Sequence, residues 1–133
     1  LTVATSSGDI KLDSVSSKDT RISANSGDVS LGDVVMDNID LKTSSGNITS
    51  GSIKAKRING RASSGDVMIR DCDASEINVV TTSGDVSIGI GSEMKYEYNT
   101  KTSSGDVNVP DSVEGADGKC NIETSSGDID VTQ

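Results

Sequence analysis

The sequence predicts an all-β chain wound as a right-handed parallel β-helix, with about 19 residues per coil and six to seven coils. Three observations predict it. One eight-residue phrase recurs seven times, as TSSGDIKL, ANSGDVSL, TSSGNITS, ASSGDVMI, TTSGDVSI, TSSGDVNV and TSSGDIDV. Its glycines, Gly8, Gly27, Gly46, Gly65, Gly84, Gly105 and Gly127, lie 19, 19, 19, 19, 21 and 22 residues apart. Around each glycine apolar residues alternate with polar ones, the period of a strand with one buried face.

Each coil reads as a strand, a tight corner, a second strand and a looser return. The strand before the corner presents Leu1, Thr20, Ile39, Ile58, Ile77, Tyr98 and Cys120 seven positions ahead of the glycine. Five positions ahead stand Val3, Ile22, Leu41, Gly60, Val79, Thr100 and Ile122. At the corner, glycine permits a positive φ that a Cβ would penalise, and Ser and Asp or Asn bond to local backbone groups. The strand after the corner carries a β-branched residue two positions past each glycine: Ile10, Val29, Ile48, Val67, Val86, Val107 and Ile129. Leu12, Leu31, Ser50, Ile69, Ile88, Val109 and Val131 follow two residues later, and Val15, Val34, Ile53 and Cys72 begin the return in the first four coils. Like strands in identical register lie parallel, about 4.8 Å apart, making a rod roughly 30 Å long. An antiparallel sandwich does not require columns aligned at this period.

The 133 residues make one domain, and the start at Leu1 inside an alternating segment reads as an excised piece of a longer protein. Phe, Trp and His are absent, so Val, Ile, Leu and small residues must build the core. A net charge of −9 disfavours nucleic acid or an anionic membrane surface as main partner. No signal peptide or apolar run of membrane-spanning length is present. Cys72 and Cys120 fall in apolar columns and read as buried free thiols rather than a disulfide.

No residue set points to catalysis, a cofactor or a metal. The column Asp9, Asp28, Asn47, Asp66, Asp85, Asp106 and Asp128 reads as turn-forming, since single stacked carboxylates offer calcium too few ligands. Seven serines precede the glycines without a histidine to act as base, and none is distinguished from the rest. A sugar-cleaving helix needs carboxylates converging in a groove, whereas the charges here are scattered. Recurrent Thr-x-Thr rows, which an ice-binding face would need, are missing.

The KAKRINGR stretch is the candidate partner-binding site: Lys54, Lys56, Arg57 and Arg61 form a basic island on an acidic chain. Lys42 shares the outward column of Arg61 one coil earlier. The longer coils around IGIGSEMKYEYNT and PDSVEGADGKC are further candidates, because loops on solenoids carry grafted sites. There Met94, Tyr96 and Tyr98 offer contact surface, although Tyr98 stands in an inward column and reads as core.

The repeated SSGD[IV]-x-[ILV] coils resemble, over essentially the whole chain, a family of bacterial adhesin-like β-helical domains of unassigned function. The resemblance implies a parallel β-helix and a location at the bacterial cell envelope or extracellular surface, and it implies no catalytic residues. Departures are Asn47 for Asp and the longer last coils. The reading is a non-enzymatic structural or interaction module whose partner is an envelope polymer, glycan or protein. A carbohydrate-active or carbohydrate-binding β-helix is the alternative. Open strand edges at the two ends predict end-to-end self-association, or caps supplied by other sequence.

Overall fold

A computed structural model describes residues 1–91 and 93–133. Its ten strands are β1 (Thr2–Ser7), β2 (Ile10–Ser26), β3 (Val29–Ser45), β4 (Ile48–Ser64), β5 (Val67–Ser83), β6 (Val86–Ile90), β7 (Tyr96–Ser104), β8 (Val107–Asn108), β9 (Gly118–Ser126) and β10 (Ile129–Thr132). Every pairing is parallel, and partners from β1 to β6 are offset by 19 residues, as in Ile22 with Leu41, until a register shift after Ile69 sets Cys72 against Ile90. The chain is a β-solenoid of about seven turns.

Coil β3 shows how the sequence shapes the cross-section. Val29 and Leu31 point inward, then Val34 and Met36, then Ile39, Leu41 and Thr43. Two outward residues in succession, Gly32–Asp33 and Asp37–Asn38, break the alternation, and the SSGN corner breaks it again. Three bends therefore separate three flat faces, here called first, second and third in chain order. The second inward position of the second face (Ser17, Met36, Ala55, Ala74) leaves little trace as an apolar column, because most of its occupants are small. The fourth coil is the thinnest layer of the core, with Ser50, Ala55, Gly60 and Ala62 facing in. Its Ser50 hydroxyl is buried without a partner.

Each corner is held twice. Its glycine has a φ between 116° and 146°, and its Asp or Asn is wired to the next coil. Asp28 N–H donates to Asp9 Oδ1 at 3.0 Å, Asn47 N–H to Asp28 Oδ1 at 2.8 Å, and Asp66 N–H to Asn47 Oδ1 at 2.9 Å. The same bond recurs at Asp85, Asp128 and Asp106. Where the backbone turns and finds no carbonyl for this N–H, the side chain supplies the acceptor. The column is thus a hydrogen-bonded ladder, which explains its repetition without a cation. Thr43, Thr81, Thr102 and Thr124, just inside the corner, each donate a hydroxyl to a glycine carbonyl of the adjoining coil at 3.3 Å.

The stacking order departs from chain order. Strand β9 pairs with β5 on one side and β7 on the other, and β10 lies between β6 and β8. The last coil is inserted beneath the penultimate one, which corrects the expectation that each coil lies on its predecessor. Apolarity gives a reason. The inserted coil buries Cys120, Ile122, Ile129 and Val131 completely, whereas the displaced one carries Thr100 where its neighbours carry Ile122 and Val79. The more polar coil takes the end, as terminal repeats must. For the same reason Val107, expected inward, is 43 % exposed.

Segment 109–117, between β8 and β9, covers part of that outer edge. Val113 N–H donates to Tyr96 O at 2.9 Å, Tyr98 N–H to Ser112 Oγ at 2.9 Å, and Gly115 N–H to Glu97 Oε2 at 3.1 Å. The chain thereby supplies its own partial cap, over 96–98.

Both cysteines are free and fully buried. Burial pushes each thiol up from 9.0 to about 12. The unfolded chain therefore releases these protons near pH 9 while the folded chain retains them, so stability is full below that pH and falls as pH rises toward 12. The melting temperature should drop across this window, and drop less in a Cys72→Ala, Cys120→Ala variant. Parallel slopes for the two proteins would show that the thiols are not responsible. Tyr98, which burial first and the neighbouring Cys120 second raise to about 12, is present in both proteins; its burial contribution cancels, and the part due to Cys120 is lost with the thiol and acts in the same direction.

Candidate functional site

The structure separates the basic island. Lys54 projects from the second face, Lys56 and Arg57 sit at the bend after it, and Arg61 stands on the third face. The first three are answered by carboxylates from adjoining coils: Lys54 by Asp73 at 3.8 Å, Lys56 by Asp37 at 3.2 Å, and Arg57 by Glu76 at 3.0 Å. All six side chains are well exposed, so the pairs add little stability, but they cancel the local field. The Asn78 amide and then Arg57 hold the Glu76 carboxyl below the usual carboxylate range. Sequence could have shown these partners, because each lies 19 residues from its cation.

Arg61 belongs instead with residues on the third face. Alternation there sends two columns outward. In stacking order they read Thr2 and Ala4, Arg21 and Ser23, Asp40 and Lys42, Asn59 and Arg61, Asn78 and Val80, Asn121 and Glu123, then Asn99 and Lys101. Lys42 and Arg61 are register partners, as their shared column implied.

The first of these columns is an amide ladder. Asn99 Nδ2 donates to Asn121 Oδ1 at 3.1 Å, Asn121 Nδ2 to Asn78 Oδ1 at 2.8 Å, Asn78 Nδ2 to Asn59 Oδ1 at 3.2 Å, and Asn59 Nδ2 to Asp40 Oδ1 at 2.9 Å. In-register parallel strands place like amides one coil apart, the spacing at which such ladders close. All four bonds run in one sense and end on the Asp40 carboxylate. Asp40, Asn59 and Asn78 stand 19 residues apart, so the ladder's first members carry a signal in the sequence itself.

Because the ladder engages Asp40, the cations beside it are left to solvent. Among the described residues Arg21, Lys42 and Arg61 form no ion pair. They edge a groove of about 430 Å³ to which Leu41, Gly60, Asn59 and Asn78 also contribute. Further along the face a second depression of about 470 Å³ is lined by Asn78, Val80, Asn99, Asn121, Lys101 and Glu123. There Lys101 and Glu123 pair at 3.8 Å, so the positive end of the face is confined to coils two to four.

The chain that bears these corner glycines, parallel coils and outward columns matches the family model of Toastrack DUF4097 over residues 1–133. The chain belongs to the Toastrack family. No curated protein and no solved structure matches it. Membership carries a β-solenoid fold of unknown function.

The tyrosines and Met94 of the longer coils face the core rather than solvent. Tyr96, expected as contact surface, is buried, and its hydroxyl donates to the Ala74 carbonyl. Tyr98 is buried as its column predicts, 5.9 Å from the Tyr96 ring. Met94 packs against the core. The turn glycines, by contrast, all stand along one edge where the sequence placed them. Among the described residues no group of three or more metal-ligating side chains occurs.

Proposed function

We propose that this Toastrack chain is a non-enzymatic interaction module of the bacterial cell envelope or surface, holding an extended partner against its third face. One observation carries the reading: an uninterrupted amide ladder spans five coils of a flat, rigid face and adjoins a groove edged by unpaired cations. A solenoid repeats its outward chemistry at every coil, which suits a partner that itself repeats. The envelope location rests on the resemblance of the SSGD coils to adhesin-like domains. Two features weigh against the carbohydrate alternative. Both tyrosines are buried, leaving no aromatic platform for a sugar ring, and the corner aspartates are committed to backbone N–H groups.

The test is co-sedimentation with isolated bacterial envelope fractions. Ser23→Tyr with Val80→Tyr adds bulk to the third face without touching the ladder, and Ser30→Tyr with Met68→Tyr does the same on the first face. Binding should be lost in the third-face variant and kept in the other. Absence of sedimentation by the parent, or retention by both variants, would remove the reading.

A further inference from the structure

We infer that the groove between Arg21, Lys42 and Arg61 is a binding site for a linear phosphate-bearing polymer. The inference rests on the interaction-module reading and gives its partner a chemistry.

The argument starts from charge. On a chain of net charge −9, a surface of three neighbouring cations with one carboxylate among them is a local reversal of sign. That carboxylate, Asp40, already accepts from Asn59 at the end of the amide ladder. Lys54, Lys56, Arg57 and Lys101 are paired with acids from adjoining coils, whereas among the described residues Arg21, Lys42 and Arg61 have no such acid. A partner's anions would therefore meet cations that need not first release a carboxylate.

Spacing adds a polymer to the anion. Arg21, Lys42 and Arg61 occupy three successive coils, so the outer two are separated along the stack by about 9.6 Å, twice the strand spacing. A single small anion engages only part of that span, while a chain of regularly placed anions engages all of it. Two of the three cations are guanidiniums, whose planar forks match phosphate oxygens in pairs. The Asn59 side-chain amide uses one of its two N–H donors in the ladder and keeps the other for an oxygen in the groove.

The probe is long-chain inorganic polyphosphate, titrated into the 133-residue chain by calorimetry at about 50 mM salt, with monomeric phosphate and polyglutamate as comparison ligands. Polyphosphate should bind saturably and weaken by more than about ten-fold when salt is raised to about 300 mM. Arg21→Gln, Lys42→Gln and Arg61→Gln together should weaken it at least about ten-fold, and Lys54→Gln, Lys56→Gln and Arg57→Gln together by less than about two-fold. In the unmutated protein, polyphosphate should protect Lys42 from acetylation while leaving Lys54 and Lys56 reactive, a readout independent of whether a variant folds. Absence of binding, equal losses in the two triple variants, equal protection of the three lysines, or polyglutamate binding as tightly would each overturn the assignment. Third-face-dependent sedimentation with envelope fractions but no polyphosphate binding would defeat this inference alone and leave the module reading in place.

Discussion

Gly65→Ala should abolish cooperative folding, whereas Gly8→Ala should leave a folded, weakened protein. Both glycines hold the corner with positive φ, 142° and 116°, so both substitutions incur backbone strain of about 1–3 kcal/mol. The difference is what lies underneath. A Cβ on Gly65 would come within 2.0 Å of the Gly46 carbonyl oxygen and 2.7 Å of its carbon, both backbone atoms held in the stack. A Cβ on Gly8, in the first coil, meets nothing within 4 Å. Relieving the clash at Gly65 means prying two coils apart at their corner. That breaks the bond from Gly46 N–H to Ser64 O, and the one from Asp66 N–H to Asn47. Against a domain stability of about 5–15 kcal/mol, a loss above about 4 kcal/mol, added to the strain, removes all of it at the lower end of that range and a large share elsewhere. Urea unfolding followed by far-ultraviolet circular dichroism gives the comparison. Equal midpoints for the two variants would show that conformational freedom alone, and not stacking, requires glycine at the corner.

The same corner explains why so much of this fold could be read directly from the chain. A solenoid translates one set of steric demands along its axis, so each demand is printed in the sequence once per coil. Inward Ile39, Ile58 and Ile77, or the corner aspartates, identify themselves by recurring at one interval. Columns filled by small residues left a weaker trace, and for that reason the Met36 and Ala74 position was missed. The candidate site was half legible. Charge alone marks Lys54, Lys56, Arg57 and Arg61, but a cation's availability depends on neighbours one coil away, and of these four only Arg61 lacks an ion pair among the described residues. Arg21, the groove's other guanidinium, lies 40 residues before Arg61 and gave no local signal of belonging with it.

Cross-linking should report the inverted order of the last two coils, which periodicity could not reveal. Every coil satisfies the same columns, so β7 and β9 fit equally well in register above β5; only burial preference and the extra residues in the connections distinguish the two orders. Val80, Glu123 and Lys101 share an outward column on the third face, with Val80 opposite Glu123 and Glu123 opposite Lys101. Adjacent members are about 4.8 Å apart, within disulfide reach, while Val80 and Lys101 are separated by about 9.6 Å. A disulfide needs its Cα atoms within about 7 Å, so the next-but-one pair cannot close without moving a whole coil. Val80→Cys with Glu123→Cys should therefore oxidise nearly completely under mild conditions, and Val80→Cys with Lys101→Cys should not. The native thiols, buried and held protonated, stay out of the exchange. The opposite pattern would mean that coils stack in chain order. In that case Asn99 would bond directly to Asn78, and the more polar coil would lie inside the stack with Ile122 and Val131 exposed at its end.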